Sequence, residues 1–286
     1  MAVPTSEQVK QLVSRIPGLP TLPVIVEKLN DMMLNPRTTA KEVGRLISSD
    51  PALSAKILKI VNSSFYGFPS RITTVTHAIV ILGFNTVKSV VLSSTVFDVF
   101  KAEGESDFKR EEFWKHSVGC GAACRVIARE AGFSALEDFF IAGLLHDVGK
   151  IILDQHLHDD FLKILAVVKQ EDCLFLEAEK KVLKVTHAEI GGWLFANWKL
   201  SRGLVQAVTY HHNPSLADDA LKITSVIHLG DIVCRALQCG SGGDAKIPRI
   251  SPAAWDALGF TEHQLESILR ETDHEIEKAK VFLDFL

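Results

Sequence analysis

Three features of the sequence predict an all-α chain. Apolar residues recur at helical spacing over long stretches, capping signals open several of those stretches, and no two-residue Asn-Gly or Asp-Gly turn separates alternating strands. In "TAKEV", Thr39 stands three residues before Glu42, a capping box that opens a helix running to Ile47. "SDPALSAKILKIV" offers Asp50 as N-cap and Pro51 as the first helical residue, with Leu53, Ile57, Leu58 and Val61 at helical spacing. "TVTHAIVILGF" meets a C-terminal stop at Gly83, and Asn85 caps the next helix, "TVKSVVLSSTVFDVF". "LKILAVVK" and "VFLDFL" have strand-like composition, but their surroundings favour helix.

The charged stretch "KAEGESDFKREE", residues 101–112, reads either as a junction between two helical lobes or as a surface loop within one. As a junction it divides the chain into lobes at 1–105 and 106–286. A second loop, "CGSGGDAKIPRISP", is rich in Gly, Ser and Pro, and no internal repeat is visible.

The 286 residues are 47% apolar and 23% charged, the balance of a globular protein. A formal charge of -4 gives no electrostatic case for nucleic acid or an acidic membrane. No apolar run is expected to reach the roughly 18 residues of a membrane-crossing helix. The N-terminus has no secretory pattern, and five scattered cysteines fit a reducing compartment, so a cytoplasmic location is expected.

The functional question is posed by "FIAGLLHDVGKIIL", residues 140–153, where His146, Asp147 and Lys150 stand among apolar residues. Burying such groups without partners is costly. On a helix, neighbouring side chains diverge by about 100°, yet both can reach a cation over the ridge between them. Lys150, one turn on, could hold an anionic ligand; the alternative is a solvated helix end. Other segments repeat the problem. His116 has Glu112 one turn before it and Cys120 and Cys124 after it; His187 lies in "KVTHAEIGGWLFANW"; His211 and His212 end an apolar helix; Asp231 sits between Ile227 and Val233. One shared ion site explains five histidines and two aspartates together. Imidazole with carboxylate suits iron, the favoured metal, or manganese, nickel or zinc, at one or two divalent ions per chain. A zinc site at His116, Cys120 and Cys124 lacks the usual cysteine spacing, so both thiols read as packing residues. His77 reads as a core or interface residue, and His156 and His158 as a solvated loop.

These motifs resemble the HDOD family of HD-related output domains over roughly residues 15–235. "LPTLPVIVEKLNDMM", "LISSDPALSAKILKIVNSSFYG" and "TVTHAIVILGFNTVKSVVLS" carry the N-terminal likeness. The C-terminal part resembles the wider HD superfamily of metal-dependent phosphohydrolases. That resemblance implies metal binding by His116, His146, Asp147 and Asp231. Similarity to the HD-GYP branch, which hydrolyses cyclic dinucleotides, adds His187, His211 and His212 as further ligands, Glu112 as an acidic ligand, and Lys150 beside the phosphate. HDOD proteins are often regulatory and have lost part of this set, whereas this chain keeps it. After the histidine pair it reads "NPSLADDA", so the Gly-Tyr-Pro signature of HD-GYP is absent.

The resemblance therefore implies an N-terminal helical lobe packed on an HD-like lobe with a metal centre. The leading expectation is signal transduction, in which a signalling protein partner or a nucleotide changes how the lobes meet. The rival is a phosphohydrolase with Asp147 bridging two metals and Lys150 steadying the phosphate. A third reading has the metal only holding helices together.

Overall fold

Side chains that start helices organise the first part of the chain. A computed structural model describes Glu7, Leu12, Val13, residues 21–100 and residues 108–285. It begins with α1 (Val24–Leu34), α2 (Ala40–Ser48), α3 (Pro51–Val61) and α4 (Val75–Val99). The Thr39 hydroxyl accepts from the Glu42 N–H, and the Glu42 carboxylate accepts in return from the Thr39 N–H at 2.8 Å. At α3 the Asp50 carboxylate accepts from the Leu53 N–H at 3.0 Å ahead of Pro51. The turn after α3 is clamped by Asn62, whose side chain donates to the Ile72 carbonyl and accepts from the Ile72 N–H. Ile47, Ile57, Ile60, Val61, Val91 and Val96 are fully buried in this part of the chain.

α4 corrects one expectation, because by length and composition it is long and apolar enough to cross a membrane. Gly83 interrupts it with φ 83° and ψ 166°, at the stop read from the sequence. Beyond that break, Val87, Val90, Val91, Val96 and Phe97 are buried.

From Arg110 onward the helices are α5 (Arg110–Glu130), α6 (Leu136–Leu145), α7 (Val148–His156), α8 (His158–Glu171), α9 (Phe175–Val182), α10 (His187–Asn197), α11 (Arg202–Tyr210), α12 (Leu221–Ala236), α13 (Pro252–Leu258) and α14 (Glu262–Ala279). "LKILAVVK" falls within α8, most of "VFLDFL" forms a 3-10 turn, and no strand occurs among the described residues. α5 is the central element, packed on α6 and α12. Its run of Gly119, Cys120, Gly121, Ala122, Ala123 and Cys124 is buried, and the small side chains let α6 and α12 approach closely. Cys120 and Cys124 are free thiols within the apolar core, as packing residues should be.

Contacts divide the chain into two compact units, with boundaries after Leu19, Glu103 and Ile276. Among the described residues, one holds α1–α4 with the tail from Glu277, and the other holds Glu7, Leu12 and Val13 with Phe108 to Ile276. The tail thus groups with the N-terminal helices, whereas the sequence reading carried the second lobe to residue 286. Most of the charged stretch read as a junction, residues 101–107, lies outside the described residues.

Because Asp50 is exposed and its role is capping, Asp50→Ala should cost about 1 kcal/mol of stability, while Asp50→Asn should stay near the parent. Urea unfolding should show a lower midpoint with an unchanged slope for the alanine variant. An unshifted midpoint would remove the capping role.

Candidate metal centre

The centre is assembled from helix ends and two helix interiors. His146 is the C-cap of α6 and Asp147 the N-cap of α7, so the pair sits at a corner between two helices rather than on one continuous helix. Aspartate at an N-cap normally accepts from its own helix. Asp147 makes no such bond and turns its carboxylate inward. His187 is the first residue of α10, set there by the Thr186–Glu189 capping box. His211 is the C-cap of α11, with His212 after it, while His116 and Asp231 come from within α5 and α12. Gly149 lets α7 meet the start of α10: a Cβ there would lie 2.1 Å from the His187 carbonyl oxygen.

Two groups of donor atoms result. Those of Asp147, His187, His211 and His212 lie within 4.8 Å of one another, and so do those of His116, His146 and Asp231. Asp147 faces both. Its Oδ1 is 2.9 Å from His187 Nε2 and 3.7 Å from His211 Nε2. Its Oδ2 is 3.4 Å from His146 Nε2 and 3.7 Å from His116 Nε2. Asp231 Oδ1 closes the second group, 3.1 Å from His116 Nε2 and 3.8 Å from His146 Nε2.

The outer nitrogens are already committed. His146 Nδ1 donates to the Gly143 carbonyl at 2.7 Å, His211 Nδ1 to the Val208 carbonyl at 2.6 Å, and His187 Nδ1 to the Glu179 carboxylate at 2.7 Å. His116 Nδ1 lies 3.5 Å from the Cys234 sulfur. Bonds of this kind fix the ring so that Nε2 presents its lone pair inward, as metal-bound histidines do. His116 Nε2, His146 Nε2, His211 Nε2 and Asp147 Oδ1 are buried and make no hydrogen bond. Such atoms are costly without a partner, and a cation in each group would satisfy those that face it. The donor set therefore fits a metal.

Charge points the same way. Among the described residues, the carboxylates of Asp147, Asp231, Glu179 and Asp244, all with side chains almost wholly out of solvent, face Lys150 and Arg235 as permanent cations, a two-charge excess when the imidazoles are neutral. Burial raises the Asp147 carboxyl, but His146, Lys150 and His187 outweigh it and hold the group well below the usual carboxylate range. Asp231 is shifted the same way, burial being overcome by Arg235 and His116. Burial lowers His211 and His212 well below the ordinary imidazole value. His146 and His187 are also pulled down by burial, yet Asp147 lifts the first and Glu179 the second above that value.

Glu112 does not join either group. One turn before His116 it points outward instead, and its carboxylate accepts from Lys115 at 2.8 Å with 40% of the side chain exposed. Lys150 is fully buried: its ammonium donates to Asp147 and, at 2.7 Å, to the Gly242 carbonyl, with the Phe175 ring 5.1 Å away. His156 and His158 stand apart, His158 beside Asp154 at 3.2 Å. Sequence reasoning missed Glu179, Arg235, Asp244 and His228. Arg235 had a signal, standing four residues after Asp231, to which its Nε donates at 2.8 Å. Glu179 lies in "EAEKK", which reads as a solvated face, and Asp244 in a glycine-rich loop, so neither had one. His228 donates from Nδ1 to the His211 carbonyl and accepts at Nε2 from the Ser251 N–H, fixing the end of α11 without being a ligand.

Comparison with known proteins places the fold. A crystal structure of an HDOD domain protein of unknown function from Geobacter sulfurreducens superposes with a TM-score of 0.82 at 24% identity, covering 98% of this chain and 97% of that one. A Shewanella amazonensis protein provisionally named a phosphohydrolase gives 0.75 at 24% identity, covering 97% and 98%. An uncharacterised protein of Treponema pallidum (strain Nichols) is 24% identical over 277 residues, which span 96% of this chain but only 52% of that protein. The HDOD domain profile matches residues 19–214, ending before α12 and Asp231. With more than half of its length matched, the chain belongs to the HDOD domain family.

Proposed function

We propose that this HDOD protein is a signal-transduction component that holds a divalent metal centre and acts by binding a nucleotide or a protein partner. The observation that carries this reading is Asp147, whose two oxygens face two groups of inward imidazole nitrogens, of which those of His116, His146 and His211 make no hydrogen bond. His187, His211 and His212 would hold one ion and His116, His146 and Asp231 the other, with Asp147 shared. Nitrogen and carboxylate donors without a thiolate favour iron, with manganese, nickel or zinc as alternatives. Binding is favoured over turnover because the polar groups around the centre are enclosed: Asp147, His146, His187, His211 and Lys150 are at 0% exposure. Lys150, which would otherwise meet a phosphate, already holds Asp147 and a backbone carbonyl.

A phosphohydrolase is the second reading, and the shared Asp147 is the observation that favours it. Bound metals would polarise a phosphoryl oxygen and supply hydroxide near neutral pH. The chain's own part would be to hold the ligand with Lys150 and exclude water with the residues around it. The phosphohydrolase name of the Shewanella relative lends this reading an analogy of fold.

Protein purified without chelator should carry up to two ions per chain by elemental analysis. His211→Ala and His116→Ala should each lose about half of the metal, Asp147→Asn most of it, and Glu112→Gln none. Full occupancy in both histidine variants would assign the wrong site. Asp147→Ala also strips Lys150 of its buried partner, a loss on the order of 3–5 kcal/mol, and should lower the melting temperature further than Asp147→Asn.

Metal loading should release protons. His146 and His187 lie above the ordinary imidazole value, so the metal-free protein keeps protons on them to a higher pH than free imidazole would, and those must leave before Nε2 can bind an ion. Affinity should therefore fall as pH drops from 8 to about 6. Calorimetry in buffers of different ionisation enthalpy would measure the release; a buffer-independent heat would exclude it.

Cyclic dinucleotide hydrolysis should stay at metal-free background, since the Gly-Tyr-Pro segment is missing. Enzyme-like cleavage that Asp147→Asn abolishes would put the phosphohydrolase reading first.

A further inference from the structure

The glycine-rich loop "QCGSGGDAKIP", residues 238–248, has no part in ligating a metal, yet it lies on the centre. Its Gly242 carbonyl accepts from Lys150 Nζ at 2.7 Å. Its Asp244 carboxylate accepts from Arg235 Nη1 at 2.9 Å and from the Phe175 N–H at 2.9 Å. An ammonium, a guanidinium and a backbone N–H converging on oxygens make the donor set of an oxyanion site. Here those oxygens belong to the chain itself. A small pocket lined by Lys150, Phe175, His187, His212, Arg235 and Asp244, among others, sets this donor set beside the His187 and His212 end of one metal group.

We propose that residues 238–248 act as a displaceable internal ligand, occupying an oxyanion subsite from which a phosphoryl-bearing ligand must expel them. The proposal rests on the binding reading given above and names its ligand class. Lys150 holds a neutral carbonyl where an anionic oxygen would bind a buried ammonium more strongly. Asp244 spends a carboxylate on Arg235, which also holds the candidate ligand Asp231, so moving Asp244 alters the partner of a metal group. The hinge is defined as well. Gly240 has φ +64°, and a Cβ there would lie 2.2 Å from the Glu112 carbonyl oxygen and 2.3 Å from the His116 nitrogen, so only glycine seats the loop against α5. Beyond that anchor, the Ser241 N–H donates to the Glu112 carbonyl, the Lys246 N–H to Asp244, and the Lys246 ammonium pairs with the exposed Asp172. These are single polar contacts rather than helix or core packing.

The test uses the full chain with its metal content measured beforehand, inorganic phosphate as the probe, and a nucleoside monophosphate as the second arm. Hydrogen exchange should speed up about tenfold at Ser241 and Lys246 when phosphate saturates. Removing the competing carboxylate in Asp244→Asn should tighten phosphate about tenfold by equilibrium dialysis. If the nucleotide opens the loop and phosphate does not, the ligand is an ester; if phosphate alone suffices, it is the free ion; either supports displacement. Loop exchange unchanged at saturating ligand, weaker phosphate binding in Asp244→Asn, or no binding of either probe would overturn it. Should Asp244→Asn fail to fold, exchange in the parent protein decides. If elemental analysis finds no metal and phosphate still opens the loop, the metal reading fails and this one stands; a metal-loaded sample whose loop stays shut does the reverse.

Discussion

A carboxylate at 0% exposure, held between two sets of imidazoles, is the constraint on which the larger unit depends. Asp147 cannot be neutralised cheaply where it sits, because cationic neighbours keep it ionised against the effect of burial. Its charge must therefore be met by what surrounds it. Lys150 meets part of it on one side, and the inward Nε2 atoms need a proton or a metal ion between themselves and its oxygens. Breaking a buried pair is far more damaging than never building it, so once such a group is in place every neighbour is committed.

That commitment reaches the backbone. Glycine at position 149 allows the His187 carbonyl to pass within van der Waals reach, and the small residues of α5 let α6 and α12 close in behind His116. Outer polar partners then hold each ring: carbonyls 143 and 208 for His146 and His211, and Glu179 for His187. Helix ends supply these carbonyls naturally, since the last carbonyls of a helix lack partners within it. Placing His146 and His211 at C-caps thus solves two problems with one contact, satisfying a helix end and fixing a ring.

Helices and site histidines were legible in the sequence for different reasons. Capping residues act locally, so Thr39, Asp50 and the break at Gly83 could be read directly. The histidines and aspartates were visible because polar groups among apolar neighbours violate the ordinary burial pattern. Glu112 shows the limit of that logic: helical spacing put it near His116, but Lys115 three residues on offered a solvated pairing that spacing cannot weigh. Glu179 and Asp244 were hidden for the opposite reason, since their segments look solvated and only tertiary packing buries them. At Gly83 the backbone leaves helical geometry, so α4 is two helical runs joined at a kink, as the glycine stop implied.

Enclosure separates a binding centre from a catalytic one. A hydrolytic site needs an open coordination position and a path for its ester. Here the ammonium nearest Asp147 has a carboxylate on one side and a backbone carbonyl on the other, and Arg235 is held between Asp231 and Asp244. A ligand reaching either cation has to take the place of an oxygen that the chain already supplies. That exchange conserves most of the electrostatic energy while moving a segment of backbone, which is how a local charge event becomes a change of shape. On the reading proposed above, such a centre would report occupancy rather than turn over substrate, because each binding event would first undo a contact made by Gly242 or Asp244.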